Sequence, residues 1–427
     1  MARPGLEEEL HPQAVWVCAI GFFLRIMLSG PALNGLGITY GSDDGSLLAK
    51  IHPGSYFIFL SFLMLVFSRG NPFEQLIRIA RQQTAFFVFL SIYVLIIIGW
   101  LLRGPKGVGL ILDVHIVAPM MAIVFSYAPR SYCRKIVYLF AGFAILNSAT
   151  GLVEAATHTR LFAFDPEWEV LNQDYFRASA FLGHPLANAI FTALALFVIL
   201  DLRLPSLLKA AIFLMMLASL VAFGGRAALG VSIAGLTLYG LIEIKNRLWK
   251  TRLTVMQLIA SVGAILIAPV ICFGMLHIVL HSGIGERLLA YNSLSDDSAN
   301  TRLMIFRVFD NMDFSTLFFG NDGDQLLAIA TQAGLDNPTS DIESPWILML
   351  LFLGLGLFTL WFCGWGLYVW RLMAGAPLAA KFTVIEYFII ASTSNSFGRK
   401  DLLYASLAGI VVCMKRMQGR REDSGRE

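Results

Sequence analysis

Charge is what this 427-residue sequence has least of: Asp, Glu, Lys and Arg together make up 14% of it, against about 25% in soluble domains. With 57% hydrophobic residues and a mean hydropathy of +0.69, that scarcity excludes an ordinary soluble domain and predicts an integral membrane protein. The net charge of +3 is too small to point to a nucleic-acid partner. The five cysteines, Cys18, Cys133, Cys272, Cys363 and Cys413, show no metal-ligand or redox spacing, so no disulfide, metal or cofactor is expected. No repeat of roughly 20 to 50 residues is visible and no low-complexity linker divides the chain, which predicts a single domain over 1–427. Residues 1–13 carry Glu7, Glu8 and Glu9 in place of the basic n-region of a secretory signal, so the first apolar run is expected to be retained. The polar tail 418–427 reads as disordered.

What is abundant is apolar sequence in lengths that match a bilayer, which asks for about 20 residues per helical span. The pattern predicts an all-α, polytopic helical membrane protein of about 12 transmembrane helices, near 14–30, 54–69, 84–102, 107–128, 136–155, 185–202, 206–224, 227–244, 253–280, 345–370, 381–397 and 401–416. Of the 32 Lys and Arg residues, 20 fall in one alternate set of connections and 11 in the other, with Arg25 inside a span. Positive residues are retained on the cytoplasmic side, so both termini are expected there. The polar segment 281–344 is then a large extracytoplasmic cap loop, bearing Arg287, Arg302, Arg307 and ten carboxylates from Glu286 to Glu343.

Four stretches on that outer side carry a resemblance. They are Arg177-Ala-Ser-Ala-Phe-Leu-Gly-His-Pro-Leu-Ala-Asn188; Gly224-Gly-Arg-Ala-Ala-Leu-Gly230; Asn300-Thr-Arg-Leu-Met-Ile-Phe-Arg307 with Leu317-Phe-Phe-Gly320; and Glu343-Ser-Pro-Trp-Ile-Leu with Gly354-Leu-Gly356. Together they resemble the bacterial O-antigen ligase and polysaccharide polymerase superfamily of multispanning glycosyltransferases, over roughly residues 175–360. The resemblance implies an undecaprenyl-diphosphate-linked glycan as substrate, transfer to a new hydroxyl with release of the lipid diphosphate, no metal, and residence in the bacterial inner membrane. It also implies contact with membrane lipid and with other polysaccharide export and assembly proteins. Where ligases typically hold a His-Asn pair before the span that follows the loop, this chain has Asp341, Glu343 and Ser344, which puts polymerase ahead of ligase.

The residue chemistry fits that implication. A diphosphate leaving group needs its developing charge stabilised, and guanidinium stays charged and binds phosphate through two donors. Arg226 is the leading candidate, because it sits in a short outer hairpin against the positive-inside trend; the alternative is an interfacial arginine reaching lipid headgroups. Arg177, Arg302 and Arg307 are further candidates for substrate binding, with an Arg177–Asp174 surface pair as the plain alternative. For the base that accepts the acceptor hydroxyl's proton, Glu343 and His184 are candidates, beside Asp341 and His281. A helix-capping role explains Glu343 equally well, and a structural or gating role suits His184. A helix over 301–311 capped by Asn300 is expected, and Asn321-Asp-Gly reads as a turn, so the Asp322-Gly-Asp324 pair is not taken as a metal site. Cap aromatics including Tyr291, Phe314, Phe318 and Phe319 are expected to set sugar specificity. Arg25 and Asp113 could pair inside the bundle. A polysaccharide flippase or other transporter is the competing class, against which stand the outward clustering of charge and the missing repeat.

Overall fold

The computed structural model describes residues 12–38, 40, 50–68, 70–101, 111–161, 176–250, 263, 274, 305–335, 342, 344–393 and 402–418. Every regular element among them is helical. In chain order these are α1 (Pro12–Met27), α2 (Gly30–Gly35), α3 (Pro53–Val66), α4 (Pro72–Gln82), α5 (Thr84–Leu101), a π-helical turn (Ile111–Ile116) running into α6 (Val117–Ser126), α7 (Arg130–Thr157), α8 (Pro185–Asp201), α9 (Ser206–Ala222) and α10 (Arg226–Lys250). A 3-10 turn (Ile305–Asn311), α11 (Phe314–Phe319), α12 (Gly323–Gln332), α13 (Pro345–Met373), α14 (Leu378–Ala391) and α15 (Leu402–Gln418) follow. Helices thus occupy eleven of the twelve expected stretches; 253–280 lies outside the described residues save Gly263 and Gly274.

The starts of these helices are written in the sequence. His52, Asn71, His184 and Ser344 each accept a hydrogen bond from an amide of the first turn, and each is followed at once by proline. That pairing supplies a partner for one orphan N–H and removes another. Ser344, one position past the Glu343 considered from sequence, is therefore the cap of α13, with Ile347 N donating to its Oγ over 3.4 Å.

The helices are apolar on both sides. Toward solvent or lipid they show Leu60, Leu63 and Phe67 on α3 and just beyond it, Leu95 and Ile98 on α5, Leu139, Leu146 and Val153 on α7, and Phe362 and Trp370 on α13. Among the described residues, α7, α10 and α13 are long and apolar enough to cross a membrane, as is the bent pair α4 and α5 if taken as one span; five shorter apolar helices accompany them. A helix meets every internal backbone hydrogen bond within itself, which is why such elements tolerate an apolar surround.

Packing is tightest where side chains vanish. A Cβ on Gly54 would stand 2.5 Å from the Gly21 carbonyl oxygen and 2.8 Å from Arg25 Cγ, so α1 and α3 touch backbone to backbone. That approach carries Arg25, 1% exposed, onto Asp113 at 3.7 Å and onto the hydroxyl of Ser55. Asp113 also accepts from Ser55 Oγ at 2.7 Å, Tyr40 Oη at 3.0 Å and the His52 amide. Arg25 and Asp113 do pair, and a network of this kind meets the desolvation cost that a lone buried charge would leave. The central helix is α8, whose residues from Ala189 to Ile199 are all buried, against α7, α9, α10 and α14.

Bonds at the helix ends sort the bundle into two poles. Gln418 donates to Asp201 over 2.6 Å, Lys415 to the Ala374 carbonyl, Arg416 to the Ala128 carbonyl at 3.0 Å and Lys209 to the Leu202 carbonyl at 2.8 Å. These define a basic pole. At the opposite pole lie His184 at the head of α8, Gly183 against Ser29, and Trp346, whose indole donates to Ser392 at the far end of α14 over 2.9 Å. Two of the expectations change. The chain between α3 and α5 is not an open connection but the amphipathic α4, which bends 114° into α5. The described part of 301–311 is a 3-10 turn rather than an α-helix, with Ile305 and Val308 buried and Phe306 exposed.

α13 is interrupted nine residues in. Gly354 has φ 70° and ψ 164°, a region open essentially to glycine alone. The break leaves the Leu351 carbonyl without its helical partner, and Asn321 fills the place with both its amide and its Nδ2, each at 2.9 Å. Gly320, φ 83°, lies so close that a Cβ on either glycine would collide with the other's backbone. Leu348 and Leu351, before the break, join Ile305, Val308, Leu326 and Ala330 in a small second core. Gly354→Ala is expected to lower stability by about 2 kcal/mol or more and to expose the 305–335 segment to limited proteolysis. A variant with wild-type melting and cleavage would contradict the docking.

Candidate functional site

The segment 177–184 crosses the non-basic pole as an irregular strap, and an irregular strap buried beside apolar helices has amides to satisfy. α7 supplies the acceptors. Glu154, fully buried, takes Ser179 N at 2.8 Å and Ala180 N at 2.9 Å on one carboxylate oxygen and Leu161 N at 2.9 Å on the other. Seven residues earlier on the same face, Asn147 Oδ1 accepts from Phe181 N at 3.2 Å. α8 supplies donors: Asn188 Nδ2 reaches the Ser179 carbonyl and, at 2.9 Å, the His184 carbonyl. Ala180, at φ 35°, stands in the left-handed region that costs a non-glycine residue roughly 1–2 kcal/mol, and the bond to Glu154 offsets that cost.

The strap is laid directly on the turn between α9 and α10. Ala178 N donates to the Ala222 carbonyl at 3.2 Å, and Arg177 Nε donates to the Phe223 carbonyl at 3.2 Å. Gly224, φ 65°, faces the arginine so closely that a Cβ there would stand 3.0 Å from Nε, while a Cβ on Gly225 would stand 2.5 Å from Ala189 Cβ. The glycine pair is thus required by turn and close approach together. Arg177 is 9% exposed; Arg226, two residues past the turn, opens α10 and is exposed. Arg160 donates to the Arg177 carbonyl at 3.4 Å and stands 5.0 Å from the centre of the Phe176 ring. Three arginine residues therefore belong to one strap-and-turn assembly, Arg160 and Arg177 through their guanidinium bonds and Arg226 by its place at the start of α10. Arg177 spends a donor on backbone, and its Asp174 lies outside the described residues.

His184 Nδ1 accepts from Leu186 N at 3.2 Å, so in this geometry the ring caps α8 and its proton sits on Nε2. Its structural reading is visible; any work as a base requires the ring to leave the cap. Arg307 is exposed on the 3-10 turn of the second core. Glu343, Arg302, Asp341, His281, Arg287 and Tyr291 lie outside the described residues. Asp322 accepts from Gln325 N at 2.8 Å while its own amide donates to Gln325 Oε1 at 3.1 Å, a capping box that starts α12. Among the described residues no group of three or more His, Cys, Asp or Glu could hold a metal.

The four stretches singled out in the sequence thus meet in two junctions, the first with the second at Arg177–Gly224 and the third with the fourth at Gly320–Gly354. Sequence reasoning passed over Glu154 and Asn147. The available signal was a carboxylate one helical turn from the end of an apolar run, since ionisable residues at membrane depth are seldom idle. No protein-family model matches the chain, and no curated protein matches it.

Two measurements check this geometry. Glu154→Ala leaves three amides, two of them buried, without an acceptor and is expected to cost about 2 kcal/mol or more, with Glu154→Gln, which keeps one acceptor oxygen, costing less; equal melting of all three proteins would contradict the strap. Asp313, the exposed cap of α11, is held below the usual carboxylate range by the Thr316 hydroxyl and amide and by Ser315. A depressed pKa contributes stability above the unfolded value, lost as pH falls through the folded one. Hydrogen exchange in 313–319, corrected for its intrinsic rate, should therefore be flat at neutral pH and accelerate only below the ordinary Asp range.

Proposed function

We propose that the chain is a membrane polysaccharide polymerase, joining undecaprenyl-diphosphate-linked oligosaccharide repeat units at the periplasmic face of the bacterial inner membrane. The observation that carries this reading is the Arg177–Gly224–Arg226 assembly: two arginine residues flanking a glycine turn, one bonded to it and one exposed just after it, at the pole opposite the basic one. In the proposed reaction an acceptor hydroxyl oxygen forms a bond to the anomeric carbon. The bond from that carbon to the diphosphate oxygen breaks, the electron pair leaves with the lipid diphosphate, and the hydroxyl proton passes to a base. Arg226, with Arg177, Arg302 and Arg307, holds the diphosphate; Glu343, or His184 released from its cap, takes the proton. Stabilising charge where it develops is the largest single contribution such a site makes, and no metal is needed for it.

The topology in this proposal has about 12 spans, both termini in the cytoplasm and 281–344 as the outer cap. It is supported by the sorting of Lys209, Arg371, Lys415 and Arg416 to one pole. The broken α13 favours a second reading, a glycan transporter, because transporters build their sites from interrupted helices near the midplane. Against it, the Gly354 break is filled by the backbone of 318–321.

Purified protein in lipid, given a synthetic lipid-diphosphate repeat unit, is expected to yield a ladder of lengthened glycans on a gel. Arg226→Ala, an exposed position, should melt like the wild type and lose about 100-fold or more in rate. Transfer of the glycan to a different acceptor would replace polymerase by ligase. Movement across vesicles without lengthening would replace it by transporter, and a full-rate Arg226→Ala would remove the arginine clamp.

A further inference from the structure

Helix α4 is the element that neither the span pattern nor the glycan chemistry explains. Asn71 caps it through Phe73 N at 3.0 Å, Glu74 lies in its first turn and Arg81 in its last, so its ends are matched to its dipole. It meets α5 at 114°. With α5 running along the bundle, α4 lies close to perpendicular, at the basic pole, where Gln82 Oε1 accepts from Tyr127 Oη at 2.6 Å.

Its faces divide three ways. Gln75 and Ile79, four apart, are 5% and 0% exposed and face the bundle. Phe73 and Ile77, also four apart, are 75% and 52% exposed. Arg78 and Arg81 are exposed and lie further round from that apolar pair. Immediately after Tyr127, α7 begins with Arg130 and presents exposed Arg134 and Lys135 in its first two turns, without an acidic residue in the first. A helix in the plane of a bilayer surface, apolar on one edge and basic on the next, is built for the boundary between acyl chains and headgroups.

We infer that α4 and the first turns of α7 form a docking surface for anionic phospholipid. Phe73 and Ile77 sit among the acyl chains, and Arg78, Arg81, Arg134 and Lys135 meet the phosphates. The occupant follows from charge: among the described residues Arg78, Arg81, Arg134 and Lys135 are exposed, while α4 carries one carboxylate, Glu74, and the first turn of α7 none. This inference needs the helices to lie in a membrane but not that the chain transfers sugars, so the two fail separately.

The full chain is purified from bilayers of equal phosphatidylglycerol and phosphatidylcholine, and the retained lipid is weighed by native mass spectrometry. Wild type should keep phosphatidylglycerol in an excess of about 25-fold or more, and the excess should shrink in high salt. Each basic residue near the surface is worth about a fivefold preference, so Arg78→Gln with Arg81→Gln should reduce the excess at least fivefold. Arg134→Gln with Lys135→Gln, on a different helix, should reduce it independently. Equal retention of the two lipids by wild type, or an undiminished excess in both double variants, would overturn the inference.

Discussion

A backbone group placed among apolar side chains must find a partner inside the protein, and the non-basic pole of this bundle is organised by that requirement. The strap 177–184 has no helical ladder of its own. It is held because Glu154 and Asn147 present acceptors from one face of α7 and Asn188 presents donors from α8. Replace those side chains by the leucines that surround them and the strap has no reason to lie on the α9–α10 turn. Arg177 would then have no fixed relation to Gly224 or Arg226. The carboxylate that sets the geometry spends both oxygens on backbone amides, so its role is to position.

The same requirement explains the second junction. Breaking α13 at Gly354 frees the Leu351 carbonyl, and a helix broken in an apolar setting is tolerated only where something else meets the freed group. Asn321 meets it twice, and the two positive-φ glycines allow its loop to approach. The half-helix before the break thereby serves both cores, with Leu348 and Leu351 in the small one and Met349 and Leu353 in the main bundle, which the half after the break also joins. One interrupted helix joins the two bodies of packing.

Much of this was legible in the sequence, for identifiable reasons. Helix positions followed from apolar run length, and their first residues from cap-then-proline pairs such as Asn71-Pro72 and His184-Pro185. The glycines of Gly224-Gly225, Gly320 and Gly354 stood out as punctuation. What the sequence could not disclose was partnership: that Gly320 meets Gly354, or that Glu154 serves a segment more than twenty residues away. Periodicity reports faces of one element, and these contacts join different ones. α4 was missed because three charges in eleven residues read as a connection when only long apolar runs are sought. The cap at Ser344 rather than Glu343 is a one-residue displacement that local propensity does not resolve.

In the proposed topology the strap-and-turn assembly lies on one side of a membrane and the basic pole on the other, and the proposed substrate and mechanism depend on that. In a background lacking Cys18, Cys133, Cys272, Cys363 and Cys413, single cysteines at Ala227, beside Arg226, and at Ser131, in the first turn of α7, are both exposed reporters. A membrane-impermeant maleimide added to intact spheroplasts should label Ala227→Cys and leave Ser131→Cys unlabelled until the membrane is opened. Labelling of both from the same side, or of Ser131→Cys alone, would contradict it.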